Sequence, residues 1–541
     1  MLDLKDITSI GKQKNSVNEN FEVTFDSLKA IVVKKIKEHQ MNQRVNASEF
    51  NNVCKKIITD YVDERQPYCE GYIVENKLQS ETLIRDLFNN ITSWGALSPF
   101  KENPNYRELQ INGPVIFVDT PRGYEIFRDA SGKPILFNNP EECTDFLMKV
   151  LEFSGERLTE DKPLVNASTI EGYRLACTHP CIFPPYTGEG ATDQDKIEKW
   201  PTAVFRKIGD RPFTREELIN YGTAAGEMLD IISSNMRSLG SIMCVGTTGC
   251  GKTTILNYAA NAIPPDKRVL AIQQPTEYYL RTPGEAGLKM TNNAVYFEID
   301  TNASTNTTKS ASLDNLVSQT LRYTGDMIYM NEIRNSIDFT SYARIINAGT
   351  EASATMHSFS IIGCVDRFAM ELVSQTHIDM EIAKEQAARY LNMVVLCDRL
   401  GDGTRKVTGI AIVQGYSVKE KKYYINLMYD FVRVCNIPKE VEVDGRKLTR
   451  FDTVGYFVKR NNPCKEFLYK LTKYMMKDEI DNLIKTPENT IIKTFNFNKL
   501  PKGYEVEIDS NLTPPKEETH IIWKHRKPED DIGSPSLGEV I

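Results

Sequence analysis

The residues from Gly246 to Thr253, Gly-Thr-Thr-Gly-Cys-Gly-Lys-Thr, carry the clearest chemistry in the chain. Glycines at this spacing let successive backbone N–H groups turn inward around phosphate oxygens, and a following helix N-terminus adds roughly half a positive charge at the same place. The flanks fit: Ser241 to Val245 is an apolar run suited to a buried strand, and Thr254 to Ala260 reads as a helix. Gly246, Thr247, Thr248, Gly249, Cys250, Gly251, Lys252, Thr253 and Thr254 are therefore expected to hold a nucleotide, ATP. Lys252 would reach the β- and γ-phosphates, and the Thr253 hydroxyl would ligate Mg²⁺.

A second group of residues follows downstream. Leu313, Leu316, Val317 and Leu321 outline a helix, and the next apolar stretch, from Gly325, ends in Asn331-Glu332-Ile333-Arg334-Asn335. A short apolar strand that ends in a carboxylate suits the group that orients Mg²⁺ and the attacking water, so Glu332 is both a catalytic and a metal-ligand candidate. His357 could donate from its imidazole to a phosphate oxygen.

Several elements must position these groups. At 541 residues the chain is long enough for about three or four domains, and its 40% hydrophobic composition supports buried cores. Residues 1–95 read as helical: Phe50, Val53, Cys54, Ile57, Ile58 and Tyr61 mark one helix face, with Asn46 and Glu49 as a capping pair. Residues 96–209 read as a mixed α+β unit, with a hairpin closing at Pro121 to Gly123 and a polar insertion from Pro184 to Lys196. Residues 210–430 alternate strand-like and helical runs, as a parallel sheet covered by helices does. Residues 431–541 read as an irregular extension with an unfolded tail.

Bulk properties exclude some classes. A formal charge of −7 gives no global attraction for phosphate backbones, so nucleic acid is not the expected partner. The eleven cysteines are scattered and read as reduced thiols of a cytoplasmic protein; the cluster Cys177, His179, Cys181 is expected to serve packing rather than a metal. No apolar run approaches the ~20 residues needed to span a bilayer, so membrane association is expected to be peripheral.

Asp326 to Asn335 resembles the acidic strand segment of the type II and type IV secretion and pilus-assembly ATPases, and Gly349 with Thr355-Met356-His357 resembles their histidine box. Leu109 to Pro114, Pro163 to Ala167, Gly172-Tyr173-Arg174, Phe205-Arg206-Lys207 and Arg399 to Thr408 follow in the order of the CpaF-like branch. The resemblance covers roughly residues 105–430. It implies an α/β fold: a RecA-like P-loop ATPase motor domain preceded by a PAS-like α+β domain, here with helical N-terminal and irregular C-terminal extensions. It also implies ATP hydrolysis with Mg²⁺ by a cytosolic homo-oligomer, a hexamer, that moves an inner-membrane platform protein. Arg174, Arg206, Arg334 and His357 would contact the nucleotide, and the isolated Arg322, Arg367 and Arg399 are weaker candidates.

The chain departs from the family at Gln273-Gln274-Pro275-Thr276-Glu277, where two carboxylates have become amides. An amide can orient water but cannot take its proton, so the general-base role falls on Glu332, with Glu277 the remaining acidic member. Two rivals stay open: a nucleotide-gated structural ring subunit with weak hydrolysis, and a nucleic-acid motor such as a helicase or DNA pump.

Overall fold

The computed structural model describes residues 22–42, 47–74, 77–103, 105–120, 123–152, 154–183, 199–207, 212–273, 293–298, 313–443 and 446–500. The chain divides into two compact units, Met1–Asp210 and Arg211–Ile541.

In the first unit, helix Ala47–Arg65 buries Phe50, Cys54, Ile58 and Val62, a four-residue recurrence that keeps one face of a helix inward. Helices Phe25–Asn42 and Ser80–Thr92 add Leu28, Val32, Ile36, Leu83, Leu87 and Ile91 to the same core. The expected Asn46–Glu49 cap lies outside the described side chains. Two short pairings accompany these helices: β1 (Glu22–Val23) with β2 (Tyr68–Cys69), and β3 (Ile73–Val74) with β4 (Lys77–Leu78).

A six-stranded antiparallel sheet follows, built from β5 (Glu108–Asn112), β6 (Val115–Thr120), β7 (Gly123–Ile126), β8 (Leu164–Ser168), β9 (Arg174–Thr178) and β10 (Thr202–Arg206). Its order is β7-β6-β5-β10-β9-β8. Leu109, Ile111, Leu175, Cys177, Ala203 and Phe205 form its buried face with Leu147, Val150 and Leu151 of helix Pro140–Glu152. Sheet and helix together make an α+β arrangement. Residues 121–122 of the hairpin turn and the whole polar insertion, 184–196, lie outside the described residues.

The second unit is built on one ten-stranded sheet ordered β13-β12-β14-β15-β11-β16-β17-β18-β19-β20. β11 (Ile242–Gly246), β12 (Val269–Gln273), β13 (Ala294–Glu298), β14 (Met327–Glu332), β15 (Glu351–Met356) and β16 (Met393–Arg399) run parallel. Helices Gly226–Arg237 and Lys252–Ala260 contribute to the core on one face; helices Ser336–Asn347, Ile361–Thr376 and Met380–Tyr390 contribute to the core on the other. β11 and β12 are buried along their whole lengths, as strands covered on both faces must be. The arrangement is an α/β one, a parallel sheet covered by helices on both faces.

The chain after residue 430 differs from the irregular reading. β17 (Arg405–Ser417), β18 (Lys422–Val443), β19 (Arg446–Lys459) and β20 (Thr490–Phe495) continue the sheet in antiparallel fashion. Register shifts at Arg433/Cys435 and Phe457/Val458 interrupt the two-residue alternation, and Pro438 interrupts strand propensity, so the pattern along the sequence looks broken where the strands are continuous. No helix among the described residues is long and apolar enough to cross a membrane.

Candidate nucleotide site

The parallel strands bring the predicted groups together at their C-terminal ends, where open α/β sheets place ligands. β11 ends at Gly246, β14 ends at Glu332, and β15, which lies between them, leads directly to His357. Residues distant in sequence thus become neighbours.

The loop after β11 is shaped by glycine. Gly246, Gly249 and Gly251 have φ of +147°, +72° and +102°, and a Cβ on Gly246 would lie 2.0 Å from the Cys397 carbonyl oxygen of β16. Gly251 is the residue immediately before helix Lys252–Ala260, whose first residues are Lys252, Thr253 and Thr254. The Cys250 side chain is buried inside the loop, and burial pushes its thiol up, against the opposing pull of Lys252.

Lys252 is 8% exposed, and its ammonium donates to the carbonyls of Gly246 (3.1 Å) and Thr247 (2.9 Å). It also stands 3.4 Å from His357 Nδ1 and 4.0 Å from Glu332 Oε1. Its direct hydrogen-bond acceptors in the loop are neutral carbonyls, so phosphate oxygens would be stronger partners for the same donors.

Glu332 lies at the centre of the cluster. Its Oε1 is 2.6 Å from His357 Nε2, and its Oε2 accepts from Arg334 Nε at 2.8 Å and Nη2 at 2.6 Å. The pairing of β14 with β15 shifts register between Tyr329 and Glu332, which aims the carboxylate out of the strand rhythm. Burial alone pushes the Glu332 carboxyl up; the Arg334 hydrogen bonds and charge, with His357 and Lys252, outweigh that and hold it below the usual carboxylate range.

The segments after both strands are pinned. Asp338 Oδ2 accepts from the backbone N–H of Arg334 at 2.8 Å, and Asn335 caps helix Ser336–Asn347 by accepting from Ile337 and Asp338. Arg367 donates to the carbonyls of His357 (2.7 Å) and Arg334 (3.1 Å), tying the two post-strand segments to helix Ile361–Thr376. Arg367 was a weak candidate in the sequence; its place is structural support for both site residues. Arg322 follows helix Leu313–Thr320, and Arg399 ends β16.

Arg405 was missing from the sequence candidates. It reaches from β17 to donate to the Gly249 carbonyl at 2.6 Å, across a separation of 156 residues that no local pattern reveals. Gln273, at the end of β12, is fully buried, whereas Gln274 and Glu277 lie outside the described residues. Arg174 and Arg206 belong to the first unit, opposite each other on β9 and β10, and Arg206 donates twice to Glu108 Oε2, at 3.0 and 2.9 Å. In the same unit Cys177 packs in the sheet core, and His179 Nδ1 accepts from the Cys181 amide.

Residues 196–423 match the family model described as type II/IV secretion system protein. That segment, under half of the chain, is similar to the type II/IV secretion ATPases. The chain is 22% identical over 382 residues to an uncharacterized protein of Methanocaldococcus jannaschii, covering 68% of this chain but only 61% of that protein's length. It is 21% identical over 358 residues to the type IV secretion system protein VirB11 of Bartonella henselae, covering 59% and 92%. Among solved structures, the ATPase DotB of Legionella pneumophila aligns at 12% identity over 73% of this chain and 88% of its own, with a TM-score of 0.40. The superfamily segment contains the glycine loop, Glu332, Arg334, His357 and Arg405, and stops before β19 and β20.

Proposed function

We propose that this chain is an ATP-hydrolysing motor of a pilus-assembly or secretion system, working as a homo-oligomeric ring, a hexamer, in the cytoplasm at the inner membrane. The observation that carries this reading is the meeting of Lys252, Glu332 and His357 beside a glycine loop, with Nε2 of the histidine 2.6 Å from the glutamate. Gly246 to Thr254 cradle the phosphates, and Lys252 trades the carbonyls of Gly246 and Thr247 for β- and γ-phosphate oxygens.

The Thr253 hydroxyl and the Glu332 carboxylate are the groups suited to holding Mg²⁺, which when bound neutralises charge on the phosphate oxygens. Glu332, kept ionised by Arg334, His357 and Lys252, orients the attacking water and accepts its proton. Glu277 is the second acidic candidate. His357 and Arg334 already touch Glu332 and are placed to exchange that contact for phosphate oxygens; Arg174 and Arg206 are proposed as further phosphate contacts. Loss of the γ-phosphate weakens every such contact at once, and that difference drives domain movement passed to a platform protein.

The segments Leu109 to Pro114, Gly172 to Arg174 and Arg399 to Thr408 favour the CpaF-like branch. The net charge of −7 weighs against nucleic acid as the moved substrate. The fully buried amide of Gln273, where the family resemblance implies an acid, favours one alternative: a ring subunit that binds ATP and turns it over weakly.

Light scattering with and without Mg²⁺-ATP tests the ring. The wild type is expected to assemble to a mass near six chains and Lys252→Ala to fail at nucleotide binding; a monomer at every nucleotide concentration would sink the oligomeric motor.

A further inference from the structure

Arg405 and Lys406 are neighbours on β17 and connect two separate parts of the second unit. Arg405 donates to the Gly249 carbonyl at 2.6 Å, and its Cδ is the atom a Cβ on Gly251 would meet, at 3.9 Å. Lys406 is 3% exposed; its ammonium donates to the Gly222 carbonyl at 2.9 Å. The same ammonium lies 3.6 Å from the ring centre of Phe495, 5.5 Å from Phe431 and 5.8 Å from Phe457.

The three rings brace one another, Phe457 meeting Phe495 edge-on at 5.2 Å and 90°. A Cβ on Gly222 would come within 2.8 Å of the Phe495 ring, so the turn before helix Gly226–Arg237 closes the cage. Val407 donates to the Thr223 carbonyl at 2.8 Å, and Lys493 of β20 donates to the Ile219 carbonyl at 2.8 Å. Residues 405–407 are therefore held from both sides.

A buried ammonium is expensive, and an apolar side chain of similar size would be cheaper at this place. Cation–π attraction offsets part of the cost, and it is directional: the ammonium is satisfied only where the rings and the Gly222 carbonyl converge. The cage therefore fixes where β17 sits along its own axis, and with it the residue one step earlier.

We propose that the C-terminal strands position the phosphate loop, Phe495 fixing Lys406, Lys406 fixing the place of β17, and Arg405 holding the Gly249 carbonyl so that the loop amides stay turned inward. Phe495 lies outside the segment that matches the secretion family model. The inference rests on the reading that the loop holds ATP. Arg405 and Phe495 are positioning residues, Arg405 through the loop backbone and Phe495 through Lys406.

The test is the affinity of the full chain for a fluorescent ATP analogue with Mg²⁺, in wild type, Arg405→Ala, Phe495→Leu and the double variant, with melting curves to confirm folding. Each single change is expected to weaken binding by about tenfold, the loss typical of a charge-assisted hydrogen bond. The double change should weaken it no further than the more damaging single one, because both act through one path. Arg405→Lys, which keeps a donor, should restore most of the affinity. Wild-type affinity in the single variants, or losses that multiply in the double, would overturn the proposal. If Phe495→Leu does not fold, Lys406→Met takes its place in the cycle with the same expectations. Lys252→Ala separates the two claims: if it binds as wild type, the nucleotide reading itself fails.

Discussion

His357 Nε2 stands 2.6 Å from Glu332 Oε1, joining the end of β15 to the end of the neighbouring strand β14. The contact fixes the orientation of a carboxylate that has Arg334 on its other oxygen. His357→Ala is expected to lower turnover by about ten- to a hundredfold, the usual range for a lost orienting contact, while nucleotide affinity changes far less. Comparable losses in affinity and turnover would mean that His357 serves binding alone.

Arg334, His357 and Lys252 together outweigh the effect of burial and hold the Glu332 carboxyl below the usual carboxylate range. Turnover that needs the carboxylate should persist as pH falls, with its acid limb below the ordinary carboxylate range. Arg334→Ala removes the leading stabiliser of the charge, so the acid limb should move upward in pH; a pH–rate profile reads this directly. The same depressed carboxyl contributes stability above its unfolded-state pKa and loses it as pH falls through the folded value.

Gly246→Ala should be among the most damaging single changes in the second unit. The added Cβ would sit 2.0 Å from the Cys397 carbonyl oxygen and 2.6 Å from Cys250 Sγ, at a φ of +147°. Backbone must move in response, at a cost of about 3 kcal/mol or more. Thermal melting should show a drop of several degrees, larger than for Thr248→Ala on the exposed part of the loop.

The elements around the candidate site were legible from the sequence. The apolar run before Gly246 and the helical run after it flank the glycine loop where the strand and helix are found, and Glu332 ends a strand as its apolar approach suggested. What stayed hidden depends on contacts between segments remote in sequence. Arg405 meets Gly249 across 156 residues, and Lys406 meets Phe495 only because β17 to β20 continue the sheet. The stretch after residue 430 reads as irregular because register shifts and Pro438 break its alternation, although the pairing of β18 with β19 carries through it.

Lys406 gives a pH-dependent stability that can be measured separately. Burial lowers its pKa to about 8, with Asp402 opposing and Lys493 assisting. Between about 8 and the ordinary lysine value of 10.5 the unfolded chain binds the proton and the folded chain does not, so stability rises with pH across that window. Lys406→Met is expected to be more stable than wild type at pH 7 by about 3 kcal/mol at most, with the advantage shrinking as pH approaches 10. Chemical denaturation at pH 7 and pH 10 checks both the sign and the trend.

Glu332 is proposed to make this nucleotide site hydrolytic. That role is tested most directly by phosphate release from Mg²⁺-ATP in wild type and Glu332→Gln, with ATP affinity measured on the same samples. Turnover is expected in the wild type, and in the variant a loss of about a hundredfold or more with affinity retained. Equal phosphate release from both proteins, or none from the wild type at saturating ATP, would contradict it.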